Sequence, residues 1–151
     1  MNRFVLIVML LMCTGCACST SQKPASSPAP SSSPEPQVKE AYNVTGEQTQ
    51  FGTPIVSLKM KEGKIVELSI DEITGESTKK SLGDDYKLPE GAKDTWSNQI
   101  KALEEYIVNH GLDKIQVDAQ GKALNEDLLS GCTIQIDNYL KTVRQAMNEA
   151  E

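Results

Sequence analysis

His110 is the one histidine of the chain, and no cysteine stands near it, so no spacing suited to a metal centre is present. The same scarcity argues against hydrolysis. Serines abound, but no ordered nucleophile–base pair exists to activate one of them. No glycine-rich phosphate loop occurs, and no strand is flanked by the helix crossover of a nucleotide-binding α/β fold. Lysine and arginine form no stripe: 15 basic residues face 21 acidic ones, a net charge of −6, which argues against nucleic acid as a partner. His110 is expected near the end of a helix, solvated or interacting with the last carbonyls.

The N-terminal end is more explicit. Met1-Asn2-Arg3 is a short basic start, and Phe4 through Met12 is an unbroken apolar run, too short to span a bilayer but suited to the core of a signal peptide. It ends at Cys13-Thr14-Gly15-Cys16, which resembles a bacterial lipobox. Small Thr14 and Gly15 fit a narrow peptidase site, and Cys16 becomes the lipidated N-terminus, with Cys18 offering a second register. Residues 1–15 are thus expected to be a signal peptide. Their removal takes away Arg3 and no acidic residue, so the formal charge moves from −6 to −7.

Lipidation also decides how the four cysteines are counted. Cys13 leaves with the signal peptide and Cys16 carries lipid, so only Cys18 and Cys132 keep thiols. A bridge between them is conceivable through a flexible tether, but no disulfide framework follows. Cys132 reads more simply as a small, partly buried residue. Residues 16–39 are expected to be that tether. Ser26 through Pro36 alternates serine and proline with almost nothing to bury, and extended polyproline geometry at about 3.1 Å per residue gives a reach of roughly 60 Å. Acyl chains contribute about 0.8 kcal/mol per buried methylene, so such an anchor is lasting while the domain stays soluble.

The remainder, 40–151, suits one modest domain. Val56, Leu58 and Met60 alternate with Ser57, Lys59 and Lys61, and beyond Glu62-Gly63 the pattern returns as Val66, Leu68 and Ile70. This is a hairpin over about 54–73, closed at Gly63, with an earlier edge strand near Tyr42–Gly46 and Phe51-Gly52. Lys79 through Tyr86 reads as a loop. Trp96, Ile100, Leu103 and Ile107 fall on one side of a helix over about 94–110 that Gly111 ends, and Ile136, Leu140, Val143 and Met147 repeat the scheme over about 134–149. The fold class is α+β, a small antiparallel sheet packed with two main helices. The Trp96 stripe is expected to pack against the sheet rather than to form a cofactor box.

The segment most suggestive of chemistry is Asp127-Leu128-Leu129-Ser130-Gly131-Cys132-Thr133, followed by Ile134-Gln135-Ile136. On local grounds Ser130-Gly131 is a turn and Thr133 an N-cap of the last helix. The same string resembles Asp-x-x-(Ser/Thr)-Gly-Ala-Thr, the attachment motif of the covalent FMN-binding domain family, in which the last threonine carries FMN through a phosphoester. Cys132 stands where that family has alanine. The hairpin with Gly63-Lys64-Ile65, the Lys80–Tyr86 segment, the Trp96 helix and the 127–133 motif also come in the order seen in lipid-anchored FMN-binding-domain proteins of Gram-positive bacteria, so the resemblance covers most of the mature chain.

That resemblance implies a small α+β domain that carries electrons rather than catalysing a reaction of its own. FMN would be attached by a dedicated flavin transferase, and electrons would pass from a membrane donor to an extracellular acceptor. Thr133 would be the acceptor hydroxyl, and Asp127, Ser130, Gly131 and Cys132 the surrounding motif. The flavin brings its own reactivity, so no acid–base pair is required of the chain. Gly131 would let the backbone bend close to the modified side chain, and a helix starting just after Thr133 would bring N–H groups near the phosphate. The chain has one such domain where a known protein of this type has two, and its glycine pattern around Gly46 and Gly52 is weak. A flavin-free surface lipoprotein stays open as the other reading, either an interaction adaptor or a precursor whose Phe4–Met12 segment is released as a signalling peptide.

Overall fold

A computed structural model describes residues 37–151. The signal peptide, Cys16, Cys18 and the tether up to residue 36 lie outside the described residues. Within them the strands β1 (Val38–Thr45), β2 (Thr53–Lys61), β3 (Lys64–Thr74) and β4 (Ser77–Thr78) form one antiparallel sheet in chain order. Val38 and Lys39 pair with Lys61 and Met60, so the last residues assigned to the tether belong to the sheet instead.

The β2–β3 hairpin turns on two residues, Glu62 at φ 53° and Gly63 at φ 74°. Both central residues are left-handed, the turn whose twist matches that of the strands it joins. Val56, Leu58 and Met60 are buried as the alternation predicts. Val66 departs from expectation and lies exposed. The register slips by one residue between Lys59 and Met60, so Ile65 and Ile70 face the core and Val66 is the extra residue of a bulge. A second bulge in β1 uses Asn43 at φ 54°, with its N–H donating to Ser57 Oγ at 2.9 Å. That bulge brings Ala41 and Val44, three apart, onto the same buried face.

Lys79 through Tyr86 is not an irregular loop. Thr78 accepts a hydrogen bond from the Ser81 N–H, Ser81 Oγ in turn accepts the Thr78 N–H, and together they cap a single helical turn, α1 (Lys79–Leu82), that continues as a 3-10 turn over Gly83–Asp85. The helix α2 (Trp96–His110) starts two residues later than the pattern suggests because Thr95 is its N-cap, accepting from the Asn98 N–H, and it ends at Gly111, φ 89°. His110 is exposed in its last turn, its ring 4.5 Å from that of Tyr106. A six-residue helix, α3 (Glu126–Gly131), then covers the 127–131 part of the motif, and α4 (Asp137–Ala150) closes the chain.

The late start of α4 has a tertiary cause. Lys122 bridges Gln135, and the Ile136 N–H donates to the Gly121 carbonyl at 2.7 Å, so residues 134–136 are drawn into extended pairing before the helix can begin. The helix α4 packs on β1 and β2, and α2 packs on β3. Between helices and sheet lies one core of Val56, Leu58, Ile70, Trp96, Ile100, Leu103, Ile107, Ile136 and Val143. Full burial of such side chains contributes about 1.5–3 kcal/mol each, far more than helix propensity supplies.

Candidate functional site

Beside this core lies a cleft of about 1270 Å³, walled by Phe51, Tyr86, Trp96 and Tyr139 and reached by Thr133. Its volume exceeds the roughly 300–1,000 Å³ of most small-molecule pockets, so space does not limit an aromatic cofactor. Trp96 packs in the core at 2% exposure, as its stripe predicts, and also borders the cleft.

The five motif residues separate on this framework. Thr133 is partly exposed and lines the cleft. Its hydroxyl donates to Gln99 Oε1 at 3.0 Å and its N–H donates to the same oxygen at 2.8 Å. Gln99 is fully buried near the start of α2, and its amide donates to the Asp94 carbonyl at 3.0 Å, so one amide side chain holds both the backbone and the hydroxyl of Thr133. Thr133 is therefore not an N-cap of α4. That position is Ile136, which has no side-chain cap. Gln99 carries no signal in the sequence, since it sits one residue before Ile100 on an otherwise apolar helix face.

Asp127 and Ser130 are exposed on α3, where Ser130 Oγ donates to the Asp127 carbonyl at 2.6 Å. Gly131 ends α3 rather than bending the chain toward the cleft. A Cβ there would stand 2.9 Å from Ala102 Cβ, so glycine is what lets α3 rest on α2. Gly131→Ala is expected to cost about 1–3 kcal/mol through overpacking, seen as a lower urea midpoint, and Ala102→Gly in the same background should restore part of it.

Cys132 is fully buried with its thiol in the core. Burial pushes that thiol up from 9.0 to about 11, against a smaller opposing effect of the Ile134 N–H. Because the folded value is raised, this group's contribution to stability is complete below pH 9.0 and is lost as pH rises through about 11. At pH 8 the Cys132 thiol of native protein should resist alkylation and react only once the protein is denatured, which a labelling time course read by peptide mass checks separately from Cys18.

A buried part of the cleft wall is ionic. Glu72 and Lys79 are each 2% exposed, with Lys79 Nζ 2.7 Å from Glu72 Oε2. The Tyr139 hydroxyl also donates to Glu72 Oε2, and Trp96 Nε1 donates to the Tyr139 oxygen at 3.3 Å. Burial, and then the bond to Glu72, raise the Tyr139 phenol well above its ordinary range, so it stays protonated and donates. The Lys79 ammonium lies 4.6 Å from the Tyr86 ring centre and 5.4 Å from that of Trp96, within cation–π range of both. Gly52 makes room beside this pair. At φ +141° it is backed by Ile73 O and Glu72, whose Cγ and Oε1 would both stand 2.9 Å from an added Cβ. Gly46 likewise abuts Thr142 Oγ1 of α4, so both early glycines are close-packing positions.

No protein-family profile matches the chain, and no curated protein matches it. It is similar to a solution NMR structure of a structural-genomics target from Clostridium thermocellum, at 23% identity, covering 78% of this chain and 92% of that one with a TM-score of 0.50. At that identity the likeness speaks for the α+β fold alone.

Proposed function

We propose that this chain is a lipid-anchored, extracytoplasmic flavoprotein that carries electrons on FMN joined to Thr133 by a phosphoester. The observation that carries the reading is the division of the motif. The threonine marked as acceptor lines an aromatic cleft, while Asp127 and Ser130 lie exposed on α3, open to an attaching flavin transferase. The residues present fit the group. Thr133 would hold the phosphate end, Lys122, whose backbone pairs with Gln135, lines the same cleft, and Phe51 and Tyr86 would offer aromatic walls to a ring system. FMN supplies the one- and two-electron chemistry when bound, leaving the chain to hold it and to shape access from donor and acceptor.

The test is an intact mass. Denatured, washed protein made alongside a competent flavin transferase should be yellow and about 0.44 kDa above its apo mass, the increment of a phosphoester-held FMN. Trp96 is the chain's one tryptophan, so its emission should be quenched on loading by energy transfer to the flavin. A wild-type protein that stays at apo mass would overturn the proposal in favour of the flavin-free adaptor or peptide precursor.

Among the described residues no helix is long and apolar enough to cross a membrane, so attachment in this reading rests on the lipidated Cys16. Cys16→Ser should leave an unprocessed or shed precursor, because serine has no thiol for the thioether. Membrane fractionation with N-terminal sequencing checks it. A variant that stays membrane-bound with an unchanged mature N-terminus would transfer the anchor to Cys18.

A further inference from the structure

We propose that Lys79 sets the reduction potential of the cofactor in the cleft, with Glu72 as its opposing weight; this rests on the FMN reading above. The pair is buried, lines the same cleft as Thr133, and sits against two aromatic faces instead of water. At such a site a charge acts through a low effective dielectric and little salt screening, so it couples strongly to electrons arriving nearby. The two charges are not equally tied down. Glu72 Oε2 accepts from both Lys79 and the Tyr139 hydroxyl, whereas Lys79 Nζ donates to Glu72 and otherwise meets the faces of Tyr86 and Trp96. The cation is the less compensated partner, and a ring gaining negative charge on reduction is stabilised by it.

Opposite shifts follow from the two ends of the pair. Glu72→Gln removes the opposing charge while keeping an oxygen for Tyr139, and the potential should rise. The double variant Lys79→Met with Glu72→Gln removes the less compensated cation, leaves no uncompensated charge and fills the lysine's place with a side chain at home against aromatic rings, and the potential should fall below that of wild type. Lys79→Arg keeps the charge and should stay near wild type. Each shift is expected to reach tenfold in the reduction equilibrium, about 30 mV for a two-electron couple.

The experiment is a spectroelectrochemical titration of each full-length protein co-produced with the flavin transferase, with the intact mass of the same sample recorded. Opposite displacement of the Glu72→Gln and double-variant potentials supports the proposal. Fully loaded proteins whose potentials coincide, or move in the same direction as each other, overturn it and leave the FMN reading standing. Wild-type protein at apo mass overturns both. Should the double variant fail to fold, Glu72→Gln decides alone: an unraised potential at full loading overturns the proposal.

Discussion

Thr133→Ala is expected to abolish covalent flavin, giving an apo-mass protein under conditions where wild type is loaded. Thr133→Ser keeps a hydroxyl and should retain part of the attachment. Asp127→Ala should lower loading with the acceptor intact, since Asp127 is exposed on α3 and lies outside the cleft lining. Cys132→Ala moves the motif toward the family pattern and should preserve or raise loading. The structural cost of losing the Thr133 hydroxyl is small. Gln99 Oε1 still accepts the Thr133 N–H, so only one hydrogen bond is lost, about 0.5–1.5 kcal/mol. A folded Thr133→Ala protein with no flavin therefore separates attachment from stability, and mass spectrometry beside a urea melt reads both. Covalent flavin persisting in Thr133→Ala would transfer the acceptor role to another residue.

Lys79→Met by itself is expected to be strongly destabilising. It strands the Glu72 carboxylate at 2% exposure with the Tyr139 hydroxyl as its remaining donor. Breaking a buried pair from one side typically costs about 3–5 kcal/mol, because the surviving charge stays desolvated. Adding Glu72→Gln removes that charge and should restore most of the loss, since a buried ion pair replaced as a unit is often neutral in stability. Denaturant unfolding of the apo protein checks this without any cofactor. Equal losses in the single and double variants would show that packing of the lysine stem, rather than charge, dominates.

What could be read along the chain depends on local repetition. The period-two alternation from Val56 to Met60 places those side chains on one face whatever lies opposite, and the period near four from Trp96 to Ile107 does the same for α2. Gly63 at the hairpin turn and Gly111 after α2 were legible because a left-handed backbone is a local demand that glycine meets at no steric cost. The motif at Thr133 was visible as a string of residues, but not the part each member plays.

Those parts depend on neighbours distant in sequence. Gly131 is explained by Ala102, Thr133 by Gln99 and the buried Glu72 by Lys79 and Tyr139, contacts that no window of a few residues contains. Glu72 and Lys79 carry no local sign of burial, because a carboxylate or ammonium is buried only when a partner is brought to it, and the partner is known only once the sheet and α4 have packed. Val66 and residues 134–136 show the same limit from the other side. Their local patterns favour the inward face of a strand and the start of a helix, yet pairing with β2 and with residues 121–122 decides otherwise. Periodicity along the chain thus determined which faces are apolar, whereas the tertiary structure alone decided which polar groups are buried and what satisfies them, since a buried charge or hydrogen bond has its partners in space and not in sequence.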